Sequence, residues 1–293
     1  MVIYNKYIKP GTEKVVVSKW ENRFVDSIKR IVDDICKKKS IRFVTLTGPT
    51  CAGKTTTAAL LSKFFKEKGK SARVISVDDF YGEFANDRSD VNFESIEAID
   101  MECFTDCIEK IMNKEDTKIP VFDFVTQSRS GYVDFPYEEN GIVIIEGIQT
   151  LYPEIRKILP RETTKRIFID VEKLVAYGVI FNKQYIRYCR RVVRDFQFRN
   201  SSLKRTINLL RNVAENEHDN IYPFRKLADY KVSSLMPYGI NVIKDYLLNR
   251  IPYDQNDPIE MRVLKKLKED LKKVPTMSEK FVPADSVYRE FIG

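Results

Sequence analysis

Apolar residues recur along the chain with two periods. Trp20, Phe24, Ile28, Ile31 and Ile35 fall four, four, three and four apart, which is one face of an amphipathic helix. It ends at the basic run 37–39. Residues 41–47, IRFVTLT, predict a buried strand. After a glycine-rich stretch, KTTTAALLSKFFKEKGK predicts a helix stopped at Gly69. A second strand is expected over 72–80, ending in acids, and a helix over 95–113. KIPVFDF (118–124) and GYVDFPY (131–137) flank a polar turn and predict a hairpin. GIVIIEG (141–147), TTKRIFIDV (163–171) and ADYKVSS (228–234) give three more strands. A basic helical stretch runs from about 183 to 216, and the chain from about 238 onward is helical and charged.

Apolar strands that alternate with helices predict an α/β fold: a parallel five-stranded sheet covered by helices on both faces. The expected organisation is an N-terminal helical extension (1–40), a central α/β domain (41–235) and a C-terminal helical extension packed on it (236–293). In such sheets ligands bind beyond the carboxyl ends of the strands. The glycine-rich stretch at 48, the acids at 78 and 79 and the acid at 146 all fall there.

Composition narrows the classes. No apolar run approaches the roughly 20 residues that cross a bilayer, and no apolar leader follows the first residues, so a cytoplasmic protein with no membrane partner is expected. Five cysteines at no framework spacing (Cys36, Cys51, Cys103, Cys107, Cys189) are expected to be free thiols. Cys103 and Cys107 lie one helical turn apart, but with a single histidine, His218, they read as core residues rather than zinc ligands. His218 lies in a polar stretch and is given no role. The net charge is +8, and residues 187–211, with eight Arg or Lys against Asp195, carry +7 of it (8 − 1). Charge so concentrated suits one polyanion held in one place better than a nucleic-acid surface.

GPTCAGKT, Gly48 to Thr55, is a full G-x-x-x-x-G-K-T between a strand and a helix, the context of a phosphate-binding loop (P-loop, Walker A). The fold is therefore expected to be of the P-loop NTPase type, with Gly48, Ala52, Gly53, Lys54, Thr55 and Thr56 on the donor nucleotide. Converging backbone N–H groups and the helix N-terminus hold phosphates, Lys54 reaches the β- and γ-phosphates, and the Thr55 hydroxyl ligates Mg²⁺. Asp78 and Asp79 supply two carboxylates beside a triphosphate, one to accept a hydroxyl proton and one to hold Mg²⁺ through water. Glu146 is a further partner for Mg²⁺. Arg187, Arg191 and Arg194 share one helical face, with Arg190 adjacent and Arg199 beyond. Guanidiniums so placed neutralise a transferring phosphoryl group; the alternative is a solvated or RNA-binding stripe.

Taken together, GPTCAGKTT, SVDDFY, IPVFDFVTQSR, IVIIEGIQTLYPEI and RRVVRDFQFRN resemble, in this order, the uridine kinase and phosphoribulokinase-like family. The stretches NIYPFRKLADYKVSS and VPADSVYREFIG resemble its bacterial nucleoside kinase branch. The likeness implies an ATP- and Mg²⁺-dependent kinase of nucleoside salvage that phosphorylates the ribose 5′-hydroxyl. By motif match Asp78 is the base, and Tyr81, Phe93 and Arg129 line the acceptor pocket. Thr55 and Glu146 serve Mg²⁺, and Arg191, Arg194 and Arg199 cover the phosphates. Three pocket positions depart from the uridine kinase pattern: Glu94 replaces an Asp, Phe122 a Tyr and Gln127 a His. The partner expected is a small-molecule nucleoside, with homo-oligomers allowed. A nucleotide-binding regulatory or RNA-associated protein, or a kinase for another hydroxylated metabolite, are the other readings.

Overall fold

The computed structural model describes residues 2–4, 8–82, 92–123, 126–199 and 201–293. A short strand β1 (Val2–Tyr4) and the long helix α1 (Glu13–Cys36) precede β2 (Phe43–Thr47), α2 (Lys54–Glu67) and β3 (Ala72–Ser76). Next come α3 (Met101–Met112), the hairpin β4 (Thr117–Asp123) and β5 (Ser128–Phe135), then β6 (Ile142–Glu146), α4 (Pro153–Ile158) and β7 (Thr164–Asp170). The short pair β8 (Leu174–Ala176) and β9 (Val179–Phe181) leads into α5 (Lys183–Phe198), α6 (Leu203–Asn216) and β10 (Tyr230–Ser233). Helices α7 (Gly239–Asp245), α8 (Pro258–Leu271) and α9 (Arg289–Ile292) complete the chain.

The main sheet is five-stranded and parallel, in the order β10-β7-β2-β6-β3. Every residue of β2 and β6 is buried, as expected of central strands covered on both faces. Alternation assigns the faces. Val44, Leu46, Ile142 and Ile144 join the core formed with α1, α2 and the C-terminal helices, while Phe43, Ile75, Val143 and Ile145 pack with α3, α4 and the hairpin. Helix α1 buries the predicted stripe of Phe24, Ile28, Ile31 and Ile35. The C-terminal segment is tied to it as well: Glu21 accepts hydrogen bonds from Tyr238 and from Ser286.

Four expectations change. The strand expected over 72–80 ends at Ser76, and residues 77–80 turn as a 3-10 helix, which swings the two acids out of the sheet. The helix expected over 95–113 splits into a short 3-10 turn (Ile96–Ala98) and α3, whose N-cap is Asp100. The second hairpin strand starts at Ser128, before Gly131; Phe124, in the first predicted strand, lies outside the described residues. The basic helix breaks between α5 and α6, where Ser202 caps α6 by accepting from the Arg205 N–H. The sequence reading also missed a small sheet, β1-β8-β9.

Candidate active site

The loop after β2 is shaped by two close approaches. A Cβ on Gly48 would lie 2.2 Å from the Ile169 carbonyl oxygen of β7. Gly53 has φ +87°, and a Cβ there would meet Val287 Cγ2 at 2.3 Å; only glycine takes that backbone without strain. Gly53 caps α2 with no side-chain hydrogen bond, and the first turn carries no acid. The first N–H groups of α2 therefore have no side-chain acceptor from the cap, the arrangement that suits an anion. Lys54 donates from Nζ to the carbonyls of Gly48 (3.1 Å) and Pro49 (3.3 Å), so its ammonium lies across the mouth of the loop. Ala52 is buried and its carbonyl accepts from Ser234 at 2.6 Å.

Glu146 stands at the end of β6, buried beside the loop. It accepts hydrogen bonds from Ser76 at 3.2 Å and from Thr55 at 3.5 Å. Burial first, then the neighbouring Asp78 charge, pushes its carboxyl up to about 7. The two acids of the 3-10 turn part company. Asp78 accepts from the Tyr81 hydroxyl at 3.0 Å and its charge reaches Glu146. Asp79 instead accepts the Phe122 N–H of the hairpin at 3.4 Å. The paired role expected for Asp79 thus gives way to a hairpin anchor.

Past Asp78 lies an aromatic recess. Tyr81 meets Phe93 and Phe122 edge to face, with centroids 5.0 and 5.2 Å apart. The Tyr81 hydroxyl shares its one hydrogen between Asp78 and the Phe93 carbonyl, 2.8 Å away, and the Gln149 amide donates to the same carbonyl at 3.0 Å. Glu94 accepts from Asn216 at 3.0 Å, while Tyr152 donates to its backbone carbonyl at 3.1 Å. Burial and then the Glu217 charge push the Glu94 carboxyl up to about 7, against the Asn216 hydrogen bond. Gln127 takes the left-handed turn position of the hairpin, φ +53°. Arg129 pairs with Asp100 of the α3 cap at 3.0 Å and donates to Tyr132 at 3.2 Å, which ties hairpin to helix.

The guanidiniums of α5 turn inward, and a buried carboxylate organises them. Asp195 accepts from Arg194 at 2.8 and 3.0 Å and from Arg191 at 3.4 Å, and Arg199 lies 3.9 Å away. Thr206 of α6 donates to the same carboxylate. Arg187 serves otherwise: it forks onto Glu217 and donates to the Thr50 carbonyl at 3.1 Å. Arg190, fully buried, donates to Cys51 and Ser234 carbonyls and lies over Tyr288 and Phe291. A solvated basic stripe is therefore not what α5 presents.

The sequence model of the phosphoribulokinase / uridine kinase family matches residues 43–238. The chain belongs to that family. Among its relatives, a uridine kinase of Chlamydia pneumoniae is 26% identical over 221 residues, 73% of this chain and 90% of the relative. "Inorganic pyrophosphatase TTM2" of Arabidopsis thaliana is 30% identical over 164 residues, 55% of this chain but 21% of its own length. The solved structure of a possible uridine kinase from Bacillus stearothermophilus superimposes with a TM-score of 0.51 at 19% identity, covering 71% of this chain and 98% of that one, a likeness of fold.

This kinase-family fold brings Lys54, Thr55, Glu146 and Asp78 together at one end of the sheet, with Tyr81, Phe93, Phe122 and Glu94 beside them. Arg191 and Arg194 close on them from α5: the charges of Arg191 and Lys54 reach Glu94, and that of Arg194 reaches the loop at Cys51. Gln149, Tyr152, Asn216 and Asp195 were missed. Asp195 was visible as the one acid in a basic run; Gln149 and Tyr152 lie within IVIIEGIQTLYPEI, and Asn216 lies between two glutamates with no motif of its own. Among the described residues no cluster of three or more His, Cys, Asp or Glu could hold a metal alone. The pair Thr55–Glu146 suits Mg²⁺, which uses one or two protein groups with substrate phosphates and water. Among the described residues, no helix is long and apolar enough to cross a membrane.

Proposed function

We propose that this kinase-family protein transfers the γ-phosphoryl group of ATP to a hydroxyl of a small molecule, the ribose 5′-hydroxyl of a nucleoside. The observation that carries the reading is the position of Asp78, between the phosphate loop with Glu146 and the recess of Tyr81, Phe93 and Phe122. A base stacks on aromatic rings, and a carboxylate such as Glu94 accepts from sugar hydroxyls. In this scheme the loop and Lys54 hold the phosphates, and Thr55 and Glu146 would hold Mg²⁺, which would supply charge neutralisation at the phosphates. Asp78 takes the acceptor's proton as its oxygen bonds to phosphorus and the bond to the ADP oxygen breaks. Arg191 and Arg194, aligned by Asp195, offset the charge that spreads over the moving group. The domain division expected from the sequence remains part of this proposal, with the kinase unit at 41–235.

Acceptor choice rests on the departures at Phe122 and Gln127. Phe122 offers no hydroxyl, and an amide can flip where an oriented imidazole cannot. Sites that hydrogen-bond a base edge discriminate strongly and apolar ones weakly. Uridine and cytidine are therefore expected to be separated poorly, and another nucleoside to be used as well or better. The measurement is kcat/KM across uridine, cytidine, thymidine, adenosine, guanosine and inosine, with the double variant Phe122→Tyr/Gln127→His. Sharp wild-type selectivity for the two pyrimidine ribonucleosides, or a double variant with unmoved preferences, contradicts the reading.

Glu94 gives the acceptor step a pH dependence. Its carboxyl titrates near 4.5 when free and about 7 in the folded chain. Between these values the native state holds a proton that the unfolded chain has lost, so stability from this group is full below about 4.5 and is lost as pH rises toward about 7. Binding runs the other way, because only the ionised form accepts from two hydroxyls. Acceptor KM is expected to rise as pH falls below about 7, and Glu94→Gln to flatten that profile at a raised KM. An unchanged profile in the variant assigns the pH dependence elsewhere.

A further inference from the structure

The family match ends at residue 238, yet the last residues of the chain reach the phosphate loop. Val287, Tyr288 and Phe291 are essentially fully buried. Val287 packs on Gly53, and the Arg190 guanidinium lies over the rings of Tyr288 and Phe291, 4.8 and 5.1 Å from their centroids. The same guanidinium holds the Cys51 and Ser234 carbonyls, so the segment is locked to the loop and is no loose lid. This packing presents one carboxylate: Glu290 accepts from the Thr56 hydroxyl at 3.2 Å, in the first turn of α2. That contact with the first turn of α2 places the carboxylate beside the loop.

A fixed carboxylate there needs a reason, because beside a triphosphate it would oppose binding. The sheet order supplies one. The loop springs from the central strand β2; Glu146 and Asp78 come from β6 and β3 on one side, and Ser234 with the C-terminal segment from the β10 side. Phosphates that run from Glu146 across the loop bring the donor's sugar toward the β10 side. There the carboxylate meets neutral O–H donors, and its two oxygens match a vicinal diol. We propose that the C-terminal segment forms the sugar-binding wall of the donor site and that Glu290 accepts hydrogen bonds from the ribose hydroxyls of the nucleoside triphosphate, which selects ribonucleotides over deoxyribonucleotides.

The inference rests on the donor reading above, and direct binding without acceptor tests the two separately. Calorimetry would compare Mg-ATP, Mg-2′-deoxyATP, Mg-3′-deoxyATP and Mg-GTP on wild type, Glu290→Ala and Glu290→Gln, each checked for Tm. Wild type is expected to bind ATP roughly tenfold more tightly than either deoxy form, the worth of a charge-assisted hydrogen bond. In Glu290→Ala, ATP loses two hydrogen bonds and each deoxy form one, so ATP weakens more than either deoxy form and the gap closes, and Glu290→Gln falls between. The inference is overturned if ATP and deoxyATP weaken by the same factor so that the wild-type gap persists, if all tighten, or if the ATP–GTP gap closes instead. Should Glu290→Ala not fold, the wild-type gap and Glu290→Gln decide. A wild type that binds ATP and the deoxy forms alike also overturns it, whereas one that binds no nucleotide overturns the donor reading first.

Discussion

Asp78→Asn is expected to lower kcat by on the order of 10²–10⁴ while ATP binding barely moves. The asparagine keeps the size of the side chain and can still accept from the Tyr81 hydroxyl, which now sits 3.0 Å from Asp78. What it loses is the ability to take a proton from the acceptor. It also removes a negative charge beside Glu146, which should lower the Glu146 pKa, since the Asp78 charge helps to raise it. Steady-state kinetics on the true acceptor with parallel ATP binding check both halves. Near wild-type turnover would show that Asp78 is not the base. Asp79 is no substitute, because its carboxylate accepts the Phe122 N–H, so Asp79→Asn is expected to act through the hairpin and on acceptor KM.

Arg194→Ala is expected to cost on the order of 10²–10³ in the rate of phosphoryl transfer, and Arg191→Ala a comparable factor. Both guanidiniums are held on Asp195; the charge of Arg191 reaches Glu94 and that of Arg194 reaches the loop at Cys51. A guanidinium fixed in advance stabilises spreading charge without reorganising at the moment of reaction. Single-turnover measurements at saturating ATP isolate this step from binding. The competing view, that these side chains serve only to pair with Asp195, predicts lost thermal stability with unchanged single-turnover rate. Removing one partner of a buried pair leaves the other uncompensated, so Tm must be read beside the rate.

Much of the fold was legible because it rests on strong local signals. The largely apolar runs at 41–47 and 141–147, short and rich in β-branched residues, read as strands covered on both faces, and the glycine-lysine-threonine loop fell at a strand–helix junction, where it can work. The hairpin followed from its polar turn. The edges were harder. The 3-10 turn after Ser76 depends on where the Asp79 carboxylate finds a tertiary partner, and the break between α5 and α6 on the Ser202 cap. The strand β1 pairs with β8, some 170 residues away, a contact no local window contains. In the site, motif residues such as Lys54, Asp78 and Glu146 could be named from the sequence. Gln149 and Asn216 could not, because their partners are a backbone carbonyl and a distant carboxylate. Spacing puts Arg187, Arg191 and Arg194 on one face, but the fold gives Arg187 to Glu217 and Arg190 to the C-terminal segment and holds Arg191 and Arg194 on Asp195.

The central claim is that the terminal phosphate passes to a bound hydroxyl rather than to water. Phosphorus NMR of the protein with ATP, Mg²⁺ and the nucleoside panel follows the phosphorus atom directly. The account predicts ADP and a nucleoside 5′-monophosphate formed in equal amounts, only when a nucleoside is present, and slowed in step by Asp78→Asn. ADP with inorganic phosphate at a rate indifferent to every nucleoside would contradict it.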